Sequence, residues 1–543
     1  CPEDVSCSNP VTDVPSADIA EAIRIARDVW GFDAGQLAAL GNSENESENI
    51  LVKLDWNIND YHRASLRYTE VEQNQLITPN FDRDDLSLNS HWYNQVKTWD
   101  SLVAQVYSDW TDSFSTEIKL SQRDYQSAPQ NFSRLPQVVI DMGASDLNFG
   151  TEQFRHANLL ETSTFNAYAA GNLFMGDHEL KFGVDYESND IYNLFLESSL
   201  GNYFFNGLAA FEAGTYTSYL YRTSVDGNLN SAAADFTLDN LGLFVQDTWS
   251  VNYNLTLMFG LRLDTPSVNR DPTFNQDVLD TFGYDNSATI DGNDLLQPRF
   301  GFNYTFDTER PTQLRGGVGL FQGAAASVWL ANPYTNNGLT IAVFEDRTGT
   351  AAIFNPDPDN QPRPASVPPA ADVDILDPDL EQPSVWKANL AFDHELPFWG
   401  LVATAEFLYT KTEQGIYYEH LNLGAPTAFA PDGRELYWNA NGLDPANWNQ
   451  FGSNPFGSGV LNRANRDGAY RDVVLARPTN KGDAESITFT LTKPMNAESN
   501  LFWQVGYSFN DATEVNPLTS SRAISNWNGR AVFNPNEEVA SRS

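Results

Sequence analysis

From Arg299 to Phe321 the sequence reads RFGFNYTFDTERPTQLRGGVGLF. Phe300, Phe302, Tyr304 and Phe306 alternate with Arg299, Gly301, Asn303 and Thr305, and after a polar turn Leu314, Val318 and Leu320 resume the same beat. Successive side chains of a strand point to opposite faces, so this is a hairpin with one apolar and one polar face.

The pattern recurs along the chain. Ile50, Val52, Leu54, Trp56 and Ile58 interleave with Lys53, Asp55, Asn57 and Asn59, and Ala64, Leu66 and Tyr68 answer them after a turn at Asp60 and Tyr61. Further pairs are predicted over 102–108 with 114–121, 165–173 with 180–187, 241–248 with 255–264, 385–394 with 401–410, and 487–491 with 501–509. Seven hairpins make about fourteen strands. Within a hairpin the link is a few residues; between hairpins it runs from about 25 residues (Glu70 to Asn94) to about 70 (Thr412 to Gly482). Strict alternation of short turns and long loops is the pattern of an outer-membrane barrel.

Hydrocarbon explains the beat. A strand there cannot leave N–H and C=O groups unpaired, so a spanning sheet must close on itself, and each side chain then faces either lipid or lumen. A charge on the lipid face near mid-membrane costs about 2–4 kcal/mol. Lys53, Arg67, Lys181, Arg262, Arg299 and Arg315 all fall on the polar phase and are expected in the lumen. Trp56, Tyr68, Trp110, Tyr186, Trp249, Tyr304, Phe306, Trp386 and Tyr409 lie near strand ends, where interfacial rings belong. The rival is an antiparallel sheet with one buried face, as in a soluble propeller or sandwich. No apolar run reaches the roughly 18–20 residues of a membrane-spanning helix. The expected fold is therefore all-β, a transmembrane antiparallel barrel.

Lys and Arg total 32 against 72 Asp and Glu, a formal charge of -40, which excludes a nucleic-acid partner. The only cysteines, Cys1 and Cys7, suit a small loop disulfide in an oxidising compartment; a lipid-bearing Cys1 is the alternative, and it would leave Cys7 unpaired. The chain has no initiating Met and is expected to begin after something was removed. Residues 1–49 read as an outer loop with one helix over PSADIAEAIRIARDVWGF, capped by Ser16 and ended by Gly31. Residues 50–510 carry the barrel strands and long loops, and 511–543 a further outer loop. In 355–383 the prolines forbid regular strand or helix, and the tract is expected to be an ordered or mobile outer loop.

Nothing in the sequence resembles a catalytic constellation. His62, His91, His156, His178, His394 and His420 are scattered, with no zinc-protease spacing, nucleophile elbow or phosphate-binding loop. Asp291, Asn293 and Asp294, and Asp357, Asp359 and Asn360, offer oxygen ligands for a structural calcium ion, or simply solvated acidic turns. No other cofactor is expected. Aromatic and acidic loop residues around Trp438, Trp448 and Phe451 suit a sugar, a peptide or a cationic chelate equally.

The segments LVKLDWNINDYHRASLRYTEVEQNQ, HELKFGVDYESNDIYN, DNLGLFVQDTWSVNYNLTLMFGLRLD, LQPRFGFNYTFD and VWKANLAFDHELPFWGLVATAEFLYTKTEQGIYYEHLNL together resemble the barrel of a TonB-dependent outer-membrane receptor of the Oar-like group. The resemblance covers roughly Ser16 to the end. It implies a 22-stranded barrel in the outer membrane of a Gram-negative bacterium, set in lipid and lipopolysaccharide. It also implies a plug that recruits the TonB complex, and active import of a scarce ligand. Plug, TonB box and terminal aromatic residue are not in this sequence, so the chain is expected to be an interior piece of a longer receptor. The alternatives are a passive channel or surface-adhesion barrel, and a soluble β-rich binding protein that needs no detergent.

Overall fold

The computed structural model describes residues 14–37, 45–81, 85–143, 145–347, 349–365, 369–440, 442–444, 463–495, 500–529 and 534–541. All seven hairpins are there, as fourteen long strands. These are β1 (Glu46–Asn57), β2 (His62–Ile77), β3 (Tyr93–Thr111), β4 (Phe114–Asn131), β5 (Asn158–Met175), β6 (His178–Phe195) and β7 (Ala234–Ser250). The series continues with β8 (Leu255–Val268), β9 (Leu295–Thr305), β10 (Thr312–Gln322), β11 (Ser384–Glu395), β12 (Val402–His420), β13 (Asp483–Lys493) and β14 (Trp503–Glu514). Each pairs antiparallel with the next in chain order. Among the described residues no ladder joins β1 to β14: every residue of β1 is exposed, and beyond β13 the last strand meets only the short strand Val539–Ala540.

Register brings the apolar phases of all the strands into line. Trp56, Ala64, Val106, Ile118, Ala169, Val184, Leu243, Leu263 and Leu296 are successive partners from β1 to β9. A second row runs from Leu257 through Phe302, Gly316, Leu390, Phe407 and Ile487 to Phe509. These side chains form an outward belt: Leu243 is 49% exposed, Leu261 43% and Phe300 36%, while Leu257 and Phe302 are half-buried. A water-soluble protein rarely bares a contiguous apolar surface beyond a few hundred Å². In hydrocarbon the same surface is ordinary solvent contact, and the soluble-sheet alternative fails on this point.

The strands outrun their alternation. β3 and β12 each reach 19 residues, and the intervening crossings shorten accordingly, the first to 78–92 and the last to 421–482. Alternation marks only the lipid-facing part; above it a stretch such as ESNDIYN in β6 continues the ladder with mostly polar residues, and Ile191 packs inward under the cap.

The crossings are folded rather than structureless. They contribute a six-stranded sheet ordered Ile341–Asp346, Ser218–Ser224, Asn202–Phe205, Gln137–Asp141, Asp146–Phe149 and Asp85–Ser87, and this sheet caps the long-loop end. Its core is aromatic: Tyr203, Tyr219, Phe149, Phe205 and Phe211 are buried, and Phe354 packs edge-on to Tyr203 and Phe205. Helix α1 (Ser16–Asp28) lays Ile19, Ala22, Ile25 and Ala26 on that core and touches α2 (Leu208–Ala213). Pro15, not Ser16, holds the capping position, with no side-chain cap bond, whereas Gly31 takes the left-handed conformation (φ 76°) just past the helix.

A second part of the cap crosses the proline-rich tract. Ala371–Leu376 is a strand after all; it lies between Pro369 and Pro378 and pairs in parallel with Tyr470–Thr479, which in turn pairs with the upper end of β12. Helices α3 (Gln276–Phe282), α4 (Ser327–Thr335) and α5 (Ala523–Asn528) pack around this pair and the barrel wall.

Candidate functional site

The polar phase forms the other face of the sheet. Lys53, Arg67, Lys181, Arg262, Arg299 and Arg315 all occupy it, one residue out of step with the apolar belt in each strand. Arg262 pairs with Asp264 at 2.7 Å and Asp185 at 3.3 Å, and Gln297 also donates to Asp264. Arg299 lies over the Phe321 ring, 4.7 Å from its centroid, and Arg315 meets Asp393 at 3.2 Å. Lys53 pairs with Asp55 at 2.8 Å. These cations are therefore scattered along the wall rather than gathered into one site.

The turn residues serve local structure. Asp291 accepts from the Val268 N–H, and Asn293 donates to the carbonyls of Pro378 and Leu380. Asp357 accepts from the Asp359 N–H and the Asn360 amide, and Asp359 pairs with Arg134 at 2.6 Å. Asp294 donates its backbone N–H to the Gly292 carbonyl, and among the described residues no three His, Cys, Asp or Glu side chains gather as a metal site. Cys1, Cys7, Trp448 and Phe451 lie outside the described residues.

The residues that do converge sit where the cap meets the barrel. Ser127, Asn158 and Asn193, on the inner face at the upper ends of β4, β5 and β6, form one wall of a cavity of about 390 Å³. The cap closes it with Arg222 from the strand Ser218–Ser224, Asp372 and Asp374 from Ala371–Leu376, and Asp472 from Tyr470–Thr479. Asn332 of α4 and Arg522 beside α5 complete it.

Charge here is dense and buried. Glu197 takes Arg222 at 2.7 Å and Arg522 at 2.6 Å, and Arg222 reaches Asp372 at 2.7 Å. Arg471 lies 3.0 Å from Asp372 and 3.2 Å from Asp472, and Arg463 lies 3.0 Å from Asp472. Burial pushes the Asp372 and Asp472 carboxyls up, but the adjacent guanidiniums outweigh it and hold both below the usual carboxylate range. Asp374 differs. Burial, with Asp372 and Asp472 near, raises it to about 7 despite a 2.7 Å bond from the Asn336 amide.

None of this cluster stands out in the sequence, because it draws on four separate crossings. One signal was available: Asp372 and Asp374 alternate with Val373 and Ile375, the mark of a strand with an acidic face.

A continuous apolar belt on one face, a polar wall on the other and a folded cap on the long-loop side are the marks of an outer-membrane β-barrel. Residues 31–537 match the family model of the outer membrane beta barrel domain, and the chain belongs to that family. Its place is the outer membrane of a Gram-negative bacterium. No curated protein matches the sequence. Among solved structures, the outer membrane transporter YddB from Escherichia coli matches at a TM-score of 0.52 and 11% identity, over 87% of this chain and 49% of its own. A mutant (R480A_Q482A) of the ferric enterobactin receptor PfeA from Pseudomonas aeruginosa matches at 0.50 and 14%, over 90% and 58%. The chain thus spans about half the length of these proteins, and the likeness is one of fold.

Proposed function

We propose that the protein is the barrel of an outer-membrane transporter that captures a small ligand at its extracellular mouth and imports it with energy from the inner-membrane TonB complex. The observation that carries this reading is the cavity between cap and inner wall, walled by buried charges of both signs. A passive pore would gain nothing from a folded roof; a receptor needs an enclosed site to concentrate a scarce solute. The likeness of fold to YddB, described as an outer membrane transporter, and to PfeA, described as a ferric enterobactin receptor, supports the class. The family resemblance adds the Oar-like grouping, a plug in the lumen, and further strands along those parts of the β1 and β14 edges that no described strand covers, since edges in hydrocarbon must be covered. No catalytic step is part of this function.

The test compares depletion of a defined solute mixture by cells that carry the complete gene, cells that lack it, and cells that carry it without TonB. Loss of one solute's uptake in both defective strains is the expected result. Uptake that persists without TonB would identify a passive channel.

A further inference from the structure

We propose that the mouth cavity binds a ligand bearing an ammonium group, with Asp374 as the counterion. The inference rests on the reading of this cavity as the ligand's way into the barrel. Every other ionised side chain that lines it has an opposite charge in reach: Arg155 has Glu152 at 3.4 Å, Arg222 has Glu197 and Asp372, Arg522 has Glu197, and Asp472 has Arg463 and Arg471. Asp374 has no cation within ion-pairing distance among the described residues, and Arg522 acts on it only from further away. It is 7% exposed, and its side-chain partner is the neutral Asn336 amide at 2.7 Å.

A buried carboxylate held by a single dipole is under-compensated, and it completes itself with a proton or a cation. The surroundings sharpen the demand. Asp372 on the same strand and Asp472 on the adjacent one add negative charge. Arg522, beside α5, supplies the opposing positive field, and Arg222 and Arg471 are already engaged by carboxylates. A metal ion is a poor fit, because a hard cation needs six or more oxygens and no cluster of metal-binding side chains exists among the described residues. An ammonium needs one carboxylate and a few acceptors. Asn332, Ser521 and Ser525 line the same cavity and can bond the polar remainder of such a ligand. A volume of about 390 Å³ suits a small organic molecule.

At neutral pH the alternative occupant is the proton, since Asp374 is raised to about 7. The ligand cation must displace it, so binding strengthens as the pH rises through that value and weakens below it.

The test uses the purified full-length gene product in detergent micelles, titrated calorimetrically at pH 8 with 2-aminoethanol, whose amine stays protonated there, and with N-acetylethanolamine, its uncharged counterpart. Saturable binding of 2-aminoethanol alone is expected, weakened at pH 6 and weakened about tenfold or more by Asp374→Asn. Equal binding of the two compounds, no saturable binding of 2-aminoethanol, or undiminished binding to Asp374→Asn would overturn the proposal. The comparison of compounds needs only the unaltered protein, so it stands even if the variant fails to fold. Binding without TonB-dependent uptake would count against the transport reading alone; uptake without ammonium recognition would count against this one alone.

Discussion

Phe236 of β7 and Tyr334 of α4 stack face to face, their ring centroids 4.3 Å apart and their planes within 3° of parallel. Both rings are buried, and the pair fastens the helix that carries Asn332 to the inner wall of the barrel. Stacking adds about 0.5–1.5 kcal/mol to the burial of such rings. Phe236→Ala should therefore cost about 3–5 kcal/mol locally. The expected result is faster proteolysis within 323–383, while the barrel keeps its far-ultraviolet strand signal, because that wall is held by backbone ladders that truncating one side chain leaves in place.

Leu120 and Ser121 are neighbours on β4 that face opposite media. Leu120 is 46% exposed on the outer belt, and Ser121 lies on the inner face against Asn166. Leu120→Arg should lower unfolding stability in lipid vesicles by about 2–4 kcal/mol, and Ser121→Arg by less than about 1 kcal/mol. Urea titration of the two variants checks this; equal losses would mean that the two faces had been assigned wrongly.

The barrel was legible in the sequence because its physics is local. Each residue of β4 or β8 faces lipid or water according to its own parity, so Ile118 or Leu261 carries its address in its neighbours. The cap was not legible, because its order is assembled from afar. Tyr203 and Tyr219 are buried only because Phe354 and α1 arrive from other crossings, and no short window contains that information. The same holds for the site. Glu197, Arg222, Asp372, Arg471 and Arg522 are ordinary charged loop residues until the crossings stack them. Gly31 shows the intermediate case: a helix end that backbone chemistry marks in the sequence, next to a start, at Pro15, that it does not.

Glu197 is the hub of the buried network, since Arg222, Arg522 and, at 3.9 Å, Arg471 share one carboxylate oxygen. Removing that charge leaves guanidiniums in low dielectric with too few anions, a loss of about 3–5 kcal/mol for a buried pair. Glu197→Gln should loosen the cap by this order. Hydrogen exchange should show the loss in Ser218–Ser224 and Tyr470–Thr479 together, because the two strands share the hub. Added salt should not mimic the effect, as these side chains are shielded from bulk ions.

Two groups in the cap titrate in opposite senses. Asp146 is the register partner of both Asp85 and Asp141, and burial together with those carboxylates raises it from 3.8 to about 7. The folded cap thus holds this proton more tightly than the unfolded chain does, so the stabilisation is full below pH 3.8 and is lost as the pH rises through about 7. His156 behaves the other way. Its Nε2–H donates to the Thr151 carbonyl and its Nδ1 accepts from the Leu200 N–H, an arrangement only the neutral ring can make. Burial lowers it from 6.5 to about 3, so its contribution is full above pH 6.5 and is lost as the pH falls towards 3. Asp146→Asn should accordingly stabilise the cap at pH 8 and leave it unchanged near pH 3, whereas a His156→Gln cap should be the less stable one at pH 8, with the gap closing on acidification. Thermal unfolding of the cap at several pH values, followed by near-ultraviolet circular dichroism of its tyrosines, separates the two slopes; a gain from Asp146→Asn that grew on acidification would show that the carboxyl is not raised.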